Sequence, residues 1–361
     1  MNRRAPIALI LFACIAIFSV AREAARASDS PARDCIEAPD AVAPGTDHVA
    51  FRPASQNLEP HIAQACLLAE HAAGLVSRDE ARDAEAEFDR ALAIAPNDSI
   101  RSYVRARAVE AFSTNGGHHY DAEEWAQAIL DYTLALRYGP DDETTYSLRA
   151  TAHERNLEFS EAVADFSTAI RLSTAPQAYY MERGSAEEMN VDFKDAIADY
   201  SALLATGDDA QAFELRGRAY AALGNFDQGR PDLERSLALA PAEPATLLWL
   251  HIVHMRTGED DANWLRSHAA DADLTRWPGP AIEYFLGRKS ADDMVQTGLT
   301  SPDTAKAYQR CDGWFYLGEE ALARGDKAAA ADLFRRTVAG CNALDYEWDT
   351  AQAELKRLEQ E

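Results

Sequence analysis

The sequence predicts an all-α protein built as a solenoid of stacked helical hairpins, and two observations predict it. One block recurs at steps of 34 and then 33 residues: Tyr146-Ser-Leu-Arg149-Ala150, Tyr180-Met-Glu-Arg183-Gly184 and Phe213-Glu-Leu-Arg216-Gly217. About twelve residues further on, each copy has a second block: Ala162-Val-Ala-Asp165-Phe166, Ala196-Ile-Ala-Asp199-Tyr200 and Gly229-Arg-Pro-Asp232-Leu233. A fixed period of this size marks a unit that cannot bury its own apolar face and completes a core by stacking on its neighbours. Such a stack offers a long surface rather than a catalytic pocket.

The spacing within each copy gives the elements. In the first block a large and a small residue stand four apart, as Tyr180 and Gly184 do, which puts both on one helical face. The small residue lets a second helix approach, and the Ala-x-x-x-Phe/Tyr block does the same on the partner helix. A polar turn such as Leu-Gly224-Asn-Phe226 separates the two. Pro96, Pro140 and Pro241 close their copies, since proline lacks the N–H that would continue the helix.

These positions resemble the tetratricopeptide repeat family, which has a large residue at position 4, Gly or Ala at 8, Ala at 20, an aromatic at 24, Ala at 27 and Pro at 32. Tyr146, Ala150, Ala162, Phe166 and Ala169 match in one copy, and Trp314, Gly318, Ala330 and Phe334 in the last. Ala84, Phe88, Ala91 and Pro96, then Ala128, Tyr132, Ala135 and Pro140, match in the second helices of two early copies. The resemblance implies a right-handed superhelix with a C-terminal capping helix. The expected organisation is a signal peptide over 1–27, a largely irregular tail over 28–59 and five units over 60–242. A divergent helical segment over 243–310 then precedes a final unit with its capping helix over 311–361. In that family the first helix of each unit lines the concave face at positions 2, 5, 9 and 12. Carried onto this chain, the partner-binding candidates are Ser147, Thr151 and Glu154, then Met181, Ser185 and Glu188, then Glu214, Arg218 and Ala221. Simple solvent exposure of these residues is the plain alternative.

Position 7 carries Arg149, Arg183 and Arg216, and position 23 carries Asp131, Asp165, Asp199 and Asp232. The last unit has Leu317 and Leu333 there instead. A pair that is kept whole or replaced whole suggests an Arg–Asp ladder, within units or between adjacent ones, with unpaired surface charge as the alternative. The copy between Pro96 and Pro140 is longer than the rest, and its extra residues fall near Ser113-Thr-Asn-Gly116-Gly117-His118-His119-Tyr120. Read as a loop, this insertion makes His118 and His119 candidates for binding, with a tolerated insertion as the other reading.

The ends of the chain speak to compartment. Arg3 and Arg4 precede an uncharged apolar run from Ala5 to Val20, followed by Ser19-Val-Ala21 and Ala25-Arg-Ala27, either of which suits cleavage. The expectation is a periplasmic or secreted protein, touching a membrane only if this segment is uncleaved. Export makes Cys35, Cys66, Cys311 and Cys341 candidates for disulfides. Cys311 and Cys341 sit at facing ends of one hairpin, leaving Cys35 to tie the tail to Cys66; buried thiols are the alternative. The formal charge of −25 repels nucleic acid and anionic membranes and favours basic or extended protein segments.

No motif carries catalysis: Gly-rich phosphate loops, His-Glu-x-x-His, Gly-x-Ser-x-Gly and Cys-x-x-Cys are all missing from the sequence. His118-His119 and the i, i+3 pair His251 and His254 could touch a metal, yet each reads more simply as a helix or loop feature. No metal or cofactor is expected.

The C-terminal third has a further resemblance. Leu248-Trp249-Leu250, Trp277, Ile282-Glu-Tyr-Phe-Leu286-Gly287, Trp314-Phe-Tyr-Leu-Gly318 and Ala331-Asp-Leu-Phe334 run in an order similar to the bacterial new lipoprotein I family. That resemblance implies a periplasmic scaffold holding murein hydrolases and a protease, although this chain differs from it in its cysteines and its N-terminal tail. The function expected is a non-enzymatic, exported adaptor for protein partners. A self-assembling structural protein is the alternative, and an enzyme with its site in 243–310 comes third.

Overall fold

The structure, a computed structural model, describes residues 60–296, 307–341, 343–344 and 346–360. The expected signal segment, the tail and Cys35 lie outside the described residues. All regular structure among the described residues is helical, in 17 helices numbered here α1 to α17. The chain divides into two compact units after Pro140.

The first unit pairs α1 (Pro60–Val76) with α2 (Ala81–Ile94), and α3 (Asp98–Asp121) with α4 (Trp125–Tyr138). Its core joins Ala72, Ala84, Phe88 and Ala91 to Phe112 and Tyr138, whose rings meet Phe88 with centroids 5.8 and 5.7 Å away.

The expected loop at Ser113–Tyr120 is a correction. These residues continue α3, which runs for 24 residues where the first helices of the next three hairpins have 13. The extra turns are N-terminal. Asn97 caps them by accepting from Ile100 N at 2.9 Å, and Ile100, Val104 and Ala108 are buried at helical spacing. Tyr103 Oη and Arg107 Nε donate to Glu70 Oε1 on α1 at 2.7 and 2.9 Å. Gly116 is buried under Tyr132, where a β-carbon would stand 2.8 Å from Cε1. The glycines that suggested a loop are therefore helix-packing residues.

The second unit holds three regular hairpins. These are α5 (Glu143–Arg155) with α6 (Phe159–Leu172), α7 (Gln177–Met189) with α8 (Phe193–Leu204), and α9 (Ala210–Ala222) with α10 (Phe226–Leu239). Then come α11 (Pro244–Thr257), three short helices α12 (Ala262–His268), α13 (Gly279–Phe285) and α14 (Ala291–Gln296), and a last hairpin of α15 (Ala307–Ala323) with α16 (Lys327–Gly340). The final helix is α17 (Tyr346–Leu358). A β-carbon on Gly184 would stand 2.7 Å from Tyr200 Cε1, and one on Gly318 would stand 2.5 Å from Phe334 Cε1. In α9 and α10 the backbones themselves meet, since a β-carbon on Gly229 would lie 2.5 Å from Gly217 O. That is why this copy has glycine in both helices and the slimmer Leu233 where the others have an aromatic ring.

The charged ladder lies within each hairpin and extends to the preceding one. Arg149 Nε and Nη2 donate to Asp165 Oδ2 and Oδ1 at 2.7 and 2.8 Å, and Arg216 does the same to Asp232 at 2.7 and 2.8 Å. Arg183 holds Asp199 with both bonds at 2.6 Å. The remaining amino groups of Arg183 and Arg216 reach the hydroxyls of Ser167 and Ser201, one hairpin earlier, at 2.9 and 3.0 Å. Asp131, in the first unit, accepts instead from Asn115 Nδ2, and His119 Nδ1 lies 2.9 Å from the same oxygen, Oδ2. Burial raises the Asp131 carboxyl pKa, and these two contacts pull the other way.

Cys311 is buried near the start of α15 and Cys341 follows α16, with Thr337 Oγ1 donating to the Cys311 carbonyl at 3.4 Å. The hairpin ends thus lie together, as the expected Cys311–Cys341 pairing requires, and no disulfide joins the two in this structure. The backbone at Cys341 has turned extended, with φ −91° and ψ 162°, and leaves the helix there. Cys66 is buried in α1.

Two stability experiments follow. Each hairpin turns through a left-handed residue, which is Gly224 or Gly325 in two of them but Leu157 (φ 63°) and Val191 (φ 62°) in others. Leu157 is half exposed, so Leu157→Gly loses little packing and relieves a strain of about 1–2 kcal/mol. Urea denaturation should show a net gain of about 0.5–1 kcal/mol, because glycine gives part of the relief back as unfolded-chain entropy. For the ladder, Arg183→Leu or Asp199→Leu alone leaves a sheltered charge unpaired and should cost about 3–5 kcal/mol. The double substitution recreates the Leu317–Leu333 arrangement and should cost far less than the sum; additive losses would show the pair to be independent charges.

Candidate functional site: the first-helix groove and its occupant

The first helices of the second unit present one continuous face, and its two halves differ. On α5 and α7 the residues Ser147, Thr151, Glu154, Met181 and Ser185 are all partly accessible. Thr151 Oγ1 donates to Ser147 O at 3.0 Å, the ordinary i−4 bond of a helical threonine. Met181 packs on Tyr200 and Leu215. Two carboxyls on this face act on one another, Glu154 of α5 and Glu182 of α7. Burial pushes the Glu154 carboxyl up to about 8, with Arg155 opposing this and Glu182 adding to it. Burial also raises Glu182, whose Oε2 is enclosed without a hydrogen-bond partner.

Further along, the same face is covered. Glu188 and Arg218, expected at open concave positions, are only 3% and 8% exposed. The cover is α17, which packs on α16 and α15 and also reaches back to α7 and α9. Trp348 Nε1 donates to Val338 O on α16 at 3.1 Å, and Ala353 packs with Phe193, Ala219 and Ala222. Arg357 donates to the Ala222 carbonyl at the end of α9 and to Glu354 Oε1, the latter at 2.7 Å. Arg256 of α11 holds Glu319 of α15 and Glu354 of α17 at 2.5 and 3.1 Å. Tyr316 Oη donates to Glu347 Oε1 at 2.8 Å.

The contact is rich in carboxylates. Asp349 of α17 faces Glu188 and Arg218, and Arg218 lies over the Trp249 ring at 5.1 Å and 3.7 Å from Glu214 Oε1. Burial raises Glu188 to about 7, Arg218 opposing, and raises Glu319 to about 7, Glu354 adding to it. Burial, with Glu188 second, holds Asp349 well above the usual carboxylate range. Glu214, half-buried and bonded by Thr246 Oγ1 at 2.8 Å, is raised for the same reason. Five carboxyls, Glu188, Glu214, Asp349, Glu319 and Glu354, therefore meet three arginines, Arg218, Arg256 and Arg357, so protons are retained in the packed state.

The remaining candidates lie elsewhere. His118 is exposed on α3, and His119 faces Asp131. His251 and His254 both turn Nδ1 onto Asp261, at 2.8 and 2.9 Å from Oδ2, which holds that carboxyl down at about 2 against its own burial. Their nearest ring neighbours are Phe285 and Trp264, a buried packing arrangement. No group of three or more metal-ligating side chains occurs among the described residues. Between 243 and 310 the described residues Leu247, Trp249, Ile252, Leu265 and Ile282 are core. The sequence pattern missed α17 as a groove occupant, and its only sign was the small residues Ala351 and Ala353 among acids.

The retained protons give a pH dependence. The packed state binds more protons than the unfolded chain between the ordinary carboxylate range, about 4–4.5, and the raised values near 7. The contribution of these carboxyls should therefore be full below about pH 4, and stability should fall between about pH 5 and pH 7 by about 1.4 kcal/mol per unit for each proton retained, levelling off above that. Urea denaturation at both pH values should show a shallower fall for Glu188→Gln than for wild type; equal slopes would remove Glu188 from the account.

Residues 147–213 match the tetratricopeptide repeat family model. Among solved structures, a tetratricopeptide repeat protein from Parabacteroides merdae is 18% identical, covering 69% of this chain and 99% of its own at a TM-score of 0.49. The type IV pilus biogenesis factor PilW is 16% identical over 65% of this chain and 96% of its own, TM-score 0.40. YrrB, a tetratricopeptide repeat protein with an unusual peptide-binding site, is 14% identical over 61% and 95%, TM-score 0.35. Hairpins on either side of the matched stretch keep its small-under-ring register, Gly116 under Tyr132 and Gly318 under Phe334, and the chain therefore carries tetratricopeptide repeats.

Proposed function

We propose that this protein is an exported adaptor that holds an extended, basic segment of a protein partner on the open half of its first-helix face. The observation that carries this is the Glu154–Glu182 pair, two partly enclosed carboxyls with raised pKa values on the helices that carry the accessible Thr151 and Met181, one of them with an enclosed oxygen that has no hydrogen-bond partner. A lysine or arginine seated there would supply the partner that Glu182 Oε2 lacks, and both carboxyls would ionise around it. The strongly acidic chain adds long-range attraction for such a segment. Met181 supplies an adaptable apolar contact beside it.

The apolar run before Ala21 supports export, and the C-terminal resemblance to the new lipoprotein I family suggests envelope hydrolases or proteases as first baits. Pairing of Cys35 with Cys66 to tether the tail belongs to the same proposal. The test is affinity capture from a cell-envelope extract with wild type and with a Thr151→Arg, Met181→Asp variant of unchanged thermal stability. The variant should lose the wild-type partners; an unchanged set would end the assignment to this face. Arg218, buried beneath α17, is unsuitable for this test because its substitution would disturb the cover rather than the open surface.

A further inference from the structure

The second half of the groove already contains a helix, and the chemistry of that contact departs from a permanent core. Where the array packs for good, it does so through alanine, glycine and aromatic residues that are fully buried, such as Gly184 under Tyr200. Where α17 meets α7, α9 and α11, Asp349 and Glu354 are buried in the contact beside small residues, while Ala351, Leu355 and Leu358 join the apolar core. Arg256 is shared between Glu319 and Glu354, Arg357 reaches a backbone carbonyl, and Ala353 alone fills the apolar gap over Ala219 and Ala222. Carboxylates face each other across the contact, Glu188 against Asp349 and Glu319 against Glu354. A contact of this make-up resembles a reversible interface more than a domain core.

We infer that α17 is a displaceable occupant of the groove. It closes the α7–α9–α11 stretch against partners and, when it lifts, exposes Arg218 and Arg256 as a receptor for acidic amphipathic helices. Three features of α17 define what the receptor takes: an acid for Arg218, an acid five residues later for Arg256, and an alanine between them. Asp349, Glu354 and Ala353 supply these in cis. The ligand class is thus opposite in charge and in conformation to the one proposed for the open half. The groups facing the contact are Glu188 from α7, Glu214 and Arg218 from α9, Arg256 from α11, and Asp312, Tyr316 and Glu319 from α15, with the Val338 carbonyl from α16. The inference takes from the proposed function only that the first-helix face is the binding face.

The experiment uses the full chain and a labelled synthetic peptide of residues 346–361. Ala353→Trp cannot seat against Ala219 and Ala222, so this variant should hold its own helix out of the groove. The peptide should bind it at least about tenfold more tightly than it binds wild type, as read by fluorescence anisotropy. Arg357→Ala, which removes two polar bonds without adding bulk, should show a smaller gain in the same direction. In wild type, hydrogen exchange in 346–358 should be at least about tenfold faster than in α15 and α16. Circular dichroism and exchange in α5 to α11 establish that both variants remain folded. Equal peptide binding by wild type and both variants, or exchange in α17 no faster than in the hairpin beside it, would show that α17 is a fixed structural helix. No outside partner enters this trial, so it can fail while the envelope capture succeeds, and the reverse.

Discussion

Everything in this array depends on how closely the two helices of a hairpin approach. A glycine or alanine on the first helix lies under a ring or a leucine sixteen positions later on the second: Gly116 under Tyr132, Gly184 under Tyr200, Gly217 under Leu233, Gly318 under Phe334. A single added β-carbon would stand 2.5–2.8 Å from the facing atom in each case, so the separation is set by these positions. The neighbouring residue inherits that register. Because Gly184 is seated, Arg183 stands opposite Asp199, and both N–H···O bonds form at 2.6 Å. Closeness comes first, and the ion pair is a consequence that fixes the angle of the second helix and binds it to the serine of the hairpin before.

This order explains why the pair can be exchanged. Asn115 with His119 replaces arginine opposite Asp131, and two leucines replace both charges in the last hairpin, yet the small residue and the ring persist in each. A buried ion pair contributes little net stability against well-packed apolar side chains. Its loss is tolerable wherever both partners go together, which is the pattern across these hairpins.

The same register shows what was legible in the sequence. The repeats were visible because packing constrains residue type at fixed spacing. Phe112, Gly116, Ala128, Tyr132 and Ala135 stand 34 before Tyr146, Ala150, Ala162, Phe166 and Ala169, so the long hairpin could have been aligned without ambiguity. The pair Gly116-Gly117 points instead to a loop, because a glycine that packs helices and a glycine that turns the chain look alike in sequence. The groove was less legible. Concave positions follow from the repeat, but whether another part of the chain covers them depends on a tertiary contact across more than 130 residues, Ala222 to Arg357. No local pattern encodes that contact, and an acidic amphipathic helix at a C-terminus reads equally well as a simple end cap.

An acidic helix seated on an acidic protein needs a physical reason, and the arginines supply it only in part. Arg218 and Arg256 each serve carboxylates from both sides of the contact, so removing α17 would leave them with Glu188, Glu214 and Glu319. The groove would then remain satisfied enough to stay folded, and α17 would gain full hydration of three acids. Balance of this kind sets a shallow free-energy difference between covered and open grooves. The open half differs, since Arg155 only partly opposes the burial of Glu154 and Glu182 Oε2 has no hydrogen-bond partner, so this pair gains most from a cation brought from outside. One continuous face thus holds two charge problems, one already answered within the chain and one left for a partner, and the boundary between them falls on α7, between Ser185 and Glu188.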